Sequence, residues 1–369
     1  MRIALVLTSG PGALGRHVGR MAKRFAAEGH EVELYCLPAT ARGHQYADLP
    51  GVRVRTLMEM HNLRHADVVH AHGYQATLQA VTATLGRVPL ISSWHQSASA
   101  PEAGPAVRLG QTGAAKAADL VLGASQDVVA EARALGAEAE FGPIGAPPPA
   151  RPSRTREEVR ADMALAENEK LIVSVGRLTR GKNFDLVVDM ATELADRRDL
   201  RFVILGGGPE RTRLLRRIVE PALPVALPGT RGKVADLLAA ADVVLITSRW
   251  EARPILAQMA LQAGVPLVAT RVGGIPDLVG DGAVLIDPDA PASAAFALAG
   301  LLDDPERGAE LAAAGRAQAA TWPTEDDVAD QLLGVYRRVI DQRASSERTD
   351  EKPELETPGR DATEPGPRR

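Results

Sequence analysis

Residues 241–270 read ADVVLITSRWEARPILAQMALQAGVPLVAT. The run DVVLIT is apolar on both faces, as a strand buried inside a parallel sheet should be. A short polar loop follows, and Pro254 suits the first turn of a helix. PLVAT, after that helix, is a second buried-strand pattern. Strand, helix and strand in this order form a crossover between parallel neighbours. Glu251 and the backbone just before the helix then face the crevice beyond the strand ends, where ligands of such sheets sit.

The same alternation runs outward in both directions. RIALVL, EVELYC, DVVHAH, PLISSW and DLVLGA make a first set of strand-like runs. LIVSVG, RFVILG, PVALPG, DVVLIT, PLVAT and AVLID make a second. Helical patterns separate them, which predicts an α/β architecture with helices on both sheet faces. Between the sets lies GPIGAPPPARPSRTR, residues 142–156, where proline blocks helix and central-strand hydrogen bonding. The expected organisation is a first domain over 1–145, a Pro-rich linker over 146–156 and a second domain over 157–321. Val328, Leu332, Val335 and Val339 recur at helical spacing, so a terminal helix is expected over 322–340. The charged, Pro-rich stretch 341–369 reads as a disordered tail.

Composition narrows the classes. A chain of 369 residues accommodates two domains. A formal charge of -4 argues against a general nucleic-acid binder. The single Cys36 excludes an intramolecular disulfide and suits a reducing compartment. The apolar start at Ile3–Leu7 is too short for a secretion signal, and no run approaches the roughly 20 apolar residues of a membrane span. A cytoplasmic protein, with contact to the cytoplasmic face of a membrane left open, is the expectation.

Residues 9–16, SGPGALGR, spell G-x-G-x-x-G with Gly10, Gly12 and Gly15 between strand and helix patterns. A dinucleotide site also needs a carboxylate about 20 residues on, at the end of the next strand. EVELYC ends in Tyr35, Cys36, Leu37 and Pro38, and Glu33 lies within the strand. A redox cofactor is therefore not expected. Glycines beside a helix N-terminus still expose N–H groups suited to a phosphate or a hydroxyl.

In SVGRLTRGKNFDLVVDMATEL, residues 174–194, Arg177 and Lys182 fall in the loop after a strand. Two cations at the carboxyl edge of a sheet can clamp a diphosphate and offset charge on a leaving group. RFVILGGGPERTRLL adds a strand, a glycine turn and a helix. Taken together, VGRLTRGKN, ILGGGPE, ADVVLITSRWE, AGVPLVATRVGGIPDLV and DVVHAHG resemble the retaining glycosyltransferases of family 4, the group 1 glycosyl transferases of GT-B fold. The resemblance spans residues 1 to about 340, loosely before the linker and tightly after it.

It implies two Rossmann-like, doubly wound parallel-sheet domains facing a cleft. Arg177 and Lys182 match the diphosphate clamp. Glu251 matches the first Glu of an E-x7-E motif that contacts the donor sugar, and amides near Arg253 and Pro254 meet sugar or phosphate. Thr230 and Arg231 lie where the base sits, Gly12 in the glycine loop near phosphates and acceptor, and His72 close to the reacting sugar. The terminal helix, starting at Trp322, packs back across the first domain. The implied reaction moves a hexose-type sugar from a nucleoside-diphosphate sugar to an acceptor (glycan, lipid or small molecule) with retention, without a cofactor or a required metal.

Three departures stand out. The second Glu of E-x7-E is Met259, and a thioether cannot replace a carboxylate that accepts from ribose hydroxyls. Losing one such acceptor costs about 1.5–3 kcal/mol, roughly ten- to a hundredfold in affinity. Gln258 points about 100° away around the helix and Gln262 lies a turn further on. Ala252 replaces the usual Gly, and is strained if that position needs positive φ. PIGAPPP stands where Asn-Gly is usual. A catalytically impaired sugar-nucleotide-binding relative therefore stays open, as does a nucleotide-sugar epimerase on the same architecture.

All eight histidines lie before residue 96. His61 and His65 are four apart, but without a nearby Cys or a certain helix they do not make a metal site. His70 and His72 share one strand face; His72, at the strand end, is the site residue and His70 structural. His95 stays open between cleft and ordinary loop. Arg16, Arg20, Lys23 and Arg24 cluster on one side of the first helix. A solvated face is the reading, and attraction to an anionic lipid surface or a phosphorylated acceptor the alternative.

Overall fold

The computed structural model describes residues 1–8, 12–97, 100, 103–142, 144–146, 149, 151–230 and 233–350. Strands β1 (Arg2–Leu7), β2 (Glu31–Cys36), β3 (Val52–Thr56), β4 (Val68–His72), β5 (Leu90–Trp94), β6 (Leu120–Gly123) and β7 (Ala139–Phe141) form one sheet. Its order is β3-β2-β1-β4-β5-β6-β7. Strands β8 (Lys170–Val175), β9 (Leu200–Leu205), β10 (Val225–Gly229), β11 (Val243–Ile246), β12 (Leu267–Thr270) and β13 (Ala283–Ile286) form the other, in the order β10-β9-β8-β11-β12-β13. Every pairing is parallel. The strand order reverses between β1 and β4 and between β8 and β11, which opens a crevice at the carboxyl end of each sheet.

The period-two alternation of each strand feeds two cores. Ile3, Leu5 and Leu7 face Val18, Met21 and Phe25 of helix Ala13–Ala27. Ala4 and Val6 face Ala76 and Ala80 of helix Tyr74–Thr84. The second lobe repeats the scheme, with Ile172 on the side of Phe184 and Leu298, and Leu171 and Val173 on the side of Leu237 and Leu261. β3 and β7 were not legible in the sequence. Both are edge strands; VRVRT alternates with arginine and AEF is only three residues long.

The last helix runs Glu325–Asp350 and lies on the first lobe. Val328, Leu332, Tyr336 and Val339 enter the first lobe's core, and Tyr336 meets Phe25 edge-on with ring centroids 5.6 Å apart. The expected helix end near Ile340 and tail from 341 are corrected over 341–350. Arg343 anchors that extension by donating to Asp119 at 2.8 Å and to the Gly86 carbonyl. The remaining tail, 351–369, lies outside the described residues. At the linker, Ser153 N–H donates to Asp236 at 2.6 Å, so the chain already belongs to the second lobe there.

Candidate active site

A cleft of about 660 Å³ separates the carboxyl edges of the two sheets, a volume typical of small-molecule sites. Leu14, His17 and His95 line it from the first lobe; Lys182, Glu251 and Met259 line it from the second.

Glu251 sits in the loop after β11, and the backbone around it is over-determined. The Ser248 hydroxyl donates to its carboxylate at 2.8 Å, the Thr270 hydroxyl donates to the Ser248 carbonyl at 2.6 Å, and Gly274 N–H donates to the Glu251 carbonyl at 2.9 Å. A Cβ on Gly274 would collide with the Ala252 carbonyl and with Ser125 of the first lobe. Gly273, at φ 52°, and Gly274 therefore let the loop after β12 lie against the Glu251 loop. Ala252 is buried and is not among the residues at positive φ, so the strain considered for that substitution is absent.

Lys182 closes a 3-10 turn after β8, and Asn183, at φ 48°, redirects the chain into helix Phe184–Glu193. The Thr247 hydroxyl donates to the Lys182 carbonyl at 3.0 Å, and Arg249 N–H donates to the Gly181 carbonyl at 2.8 Å. The loops after β8 and β11 are thus joined by their main chains, and the Lys182 ammonium pairs with the Glu251 carboxylate. An ammonium and a carboxylate at one switch point can divide a nucleotide sugar between them, cation to phosphate and acid to hydroxyls.

Not every expected residue joins them. Arg177 is exposed and is not among the residues lining the cleft, although its loop is. Thr230 is exposed at the end of β10 beside Gly207, and Arg231 lies outside the described residues. Gly10 is likewise outside them; Gly12, at φ 68°, caps helix Ala13–Ala27, whose first turns reach the cleft. Pro254 caps helix Ile255–Ala263 and lines a side crevice shared with Lys182. Met259 packs with Leu256 on the apolar side and still borders the cleft. Gln258, read as turned away, also lines the cleft, and its Oε1 is sealed without a donor. Glu33 is held by the Tyr35 hydroxyl and by Arg53 and Arg55.

The first lobe contributes a histidine stack. His70 lies between the Tyr336 hydroxyl and the Ser93 hydroxyl, 2.7 Å from each. The rings of His70 and His72 are 4.3 Å apart, and those of His72 and His95 are 5.8 Å apart. His72 is not a cleft-lining residue; it rests against His17 and His95, which are. Burial pushes His17 and His70 down to about 3 and His95 to about 4, and holds His72 well below its usual value. All four are neutral near pH 7, so they offer hydrogen bonds without charge. Nothing marks His17 locally; it reaches the stack only through the packing of its helix on β1 and β2, which sets its ring against His72. Among the described residues no three His, Cys, Asp or Glu are placed to share a metal ion, His61 and His65 included.

The basic side of the first helix is largely spent on the terminal helix. Arg20 pairs with Glu325, and Arg24 with Asp326 at 3.1 Å and Asp330 at 3.5 Å. That pairing leaves Arg16 and Lys23 for any anionic surface or acceptor. Among the described residues no helix is long and apolar enough to cross a membrane.

Arg253 has an unusual setting. Its guanidinium stacks over Trp322 at 5.6 Å from the ring centroid, and its Nε and Nη2 are sealed from solvent without an acceptor. Desolvation pushes its pKa down to about 10.

Comparison with known proteins agrees with this geometry. Residues 155–318 match the family model of "Glycosyl transferases group 1", and residues 12–141 match that of the "Glycosyl transferase 4-like domain". A D-inositol 3-phosphate glycosyltransferase of Kineococcus radiotolerans is 30% identical over 416 residues, covering 93% of this chain and 94% of the relative. The crystal structure of Anabaena Alr3699/HepE in complex with UDP superposes with a TM-score of 0.79 at 21% identity, over 92% of this chain and 100% of that one. Sucrose-phosphate synthase of Thermosynechococcus elongatus gives 0.76 at 18% identity, over 93% and 100%. With both lobes matched by the family's models and nearly the whole chain aligned to a relative, the protein belongs to the group 1 glycosyltransferases, transferases of GT-B fold.

Proposed function

We propose that this enzyme moves a hexose-type sugar from a nucleoside-diphosphate sugar to a hydroxyl acceptor with retention of configuration. The observation that carries the reading is the Lys182–Glu251 pair at the β8/β11 switch point, inside a cleft walled by both lobes. The HepE neighbour was crystallised with UDP and with UDP-glucose, which makes a uridine donor the first to test. Relatives named for D-inositol 3-phosphate make a phosphorylated polyol the first acceptor to test.

On this reading the bond between the anomeric carbon and the diphosphate oxygen breaks, and the acceptor oxygen takes its place. The acceptor proton leaves with the departing diphosphate. Lys182 offsets the charge that develops on that diphosphate, and Arg177 joins it only by swinging inward from its exposed position. Glu251, released from Lys182, accepts hydrogen bonds from sugar hydroxyls and fixes the ring. Closure of the lobes excludes water from the anomeric centre. Met259 withdraws one acceptor from the ribose, so nucleotide affinity is weak rather than absent.

Calorimetric titration with UDP, UDP-glucose, ADP-glucose and GDP-mannose tests the proposal. At least one should bind, and product analysis with the same donor should show transfer to an acceptor. No binding by any nucleotide overturns it. Epimerised sugar released without an acceptor would put an epimerase in its place.

A further inference from the structure

The cations around the cleft are not equally provided for. Lys182 pairs with Glu251, Arg20 with Glu325, and Arg249 with Asp289 at 3.0 Å. Arg16 is exposed to water. Arg253 has neither. Its Nε and Nη2 are sealed from solvent, no acceptor meets them, and among the described residues no carboxylate pairs with it. Helix Ile255–Ala263, which begins two residues later, reads ILAQMALQA and carries no acid.

A desolvated cation without a counter-ion is among the costlier things a protein can keep. An apolar side chain would cover Trp322 without that penalty. The guanidinium is instead stacked on the indole, which fixes its plane at the wall of the cleft that Arg253 lines. A planar fork of N–H donors fits the two oxygens of a carboxylate or phosphate. The proposed function assigns Lys182 and Arg177 to the donor's diphosphate, which leaves Arg253 for a further anion.

We propose that Arg253 is a specificity residue, receiving a phosphate or carboxylate carried by one of the two sugar substrates in addition to the donor diphosphate. The enzyme then selects anionic over neutral substrates. This rests on the nucleotide-sugar reading of the cleft, and the test separates the two.

Two matched pairs of probes locate the anion. UDP-glucuronate against UDP-glucose places it on the donor; myo-inositol 1-phosphate against myo-inositol places it on the acceptor. Binding is followed by calorimetry for the wild type, Arg253→Gln and Arg253→Lys, with UDP alone alongside. The expected result is that the wild type prefers the anionic member of one pair by ten- to a hundredfold. Arg253→Gln should reduce that preference below about threefold while UDP affinity changes less than threefold. Arg253→Lys keeps the charge without the fork and should retain an intermediate preference.

Equal binding within both pairs by the wild type overturns the proposal, whatever the variants do. So does a preference that survives Arg253→Gln, or a fall in UDP affinity as large as that of the sugar substrates, which would place Arg253 on the diphosphate. If UDP fails to bind but the phosphate preference depends on Arg253, the donor reading falls and this inference stands. If UDP binds and no anion preference appears, the donor reading stands and this inference falls.

Discussion

Trp250, in the second lobe, donates its indole N–H to the carboxylate of Asp127 in the first lobe across 2.8 Å. The residue adjoins Glu251, so one side chain ties the Glu251 loop to a helix of the opposite lobe. Its ring also packs against the core around Trp94, and Ser125 orients Asp127 from two residues away.

Trp250→Phe keeps the packing and removes the hydrogen bond, worth about 0.5–1.5 kcal/mol. The lobes should then open more readily, which small-angle scattering reads as a larger radius of gyration. Donor affinity should fall by about three- to tenfold. Unchanged scattering and unchanged affinity would show that the bond does not hold the lobes together.

Lys182→Ala should lower turnover by about a hundredfold or more. The loops should survive, because Thr247 bonds the Lys182 carbonyl rather than its side chain. Circular dichroism and thermal melting should therefore stay close to those of the wild type. Wild-type turnover in this variant would remove Lys182 from the leaving-group role.

Met259→Glu places a carboxylate in the cleft wall, where the proposed function puts the ribose. Nucleotide affinity should rise about ten- to a hundredfold, which a calorimetric titration with UDP reads directly. The new carboxylate also borders the cleft near Arg253, so it should weaken any preference for anionic substrates. A variant that binds UDP no better would show that another group already holds the ribose.

The histidine stack makes stability pH-dependent in a definite direction. His17, His70 and His95 have folded values of about 3, 3 and 4, below their usual value of 6.5. The unfolded chain therefore takes up protons that the native state refuses. Their contribution is complete above pH 6.5 and is lost as pH falls toward 3. The slope is about 1.4 kcal/mol per pH unit for each histidine protonated on unfolding. Urea midpoints at pH 7.5, 6 and 5 should fall in that order, and equal midpoints would refute the buried, neutral assignment.

Tyr336→Phe isolates one contact in the same stack. The ring still packs on Phe25, but His70 Nδ1 loses its partner at 2.7 Å in a site closed to water. The loss should be about 1–3 kcal/mol, measured by denaturant unfolding. A neutral effect would mean that His70 finds another partner after a small shift.

Strand and helix periodicity alone carried the α/β class, the division near the prolines and the approximate carboxyl edges of the strands. Local composition is enough for this, because a strand buried on both faces has to be apolar throughout. Glu251 and Lys182 could be placed in the loops after such strands, and the family resemblance singled them out as site residues. The pairing of Lys182 with Glu251 is different in kind. It joins residues 69 positions apart and exists because β8 and β11 are neighbours at the switch point. The same holds for His17 beside His72, for Arg20 and Arg24 spent on the terminal helix, for Arg343 holding that helix past residue 340, and for Arg253 stacked on Trp322. In each, the energy comes from desolvation and from groups brought together by packing, and neither leaves a pattern among sequence neighbours.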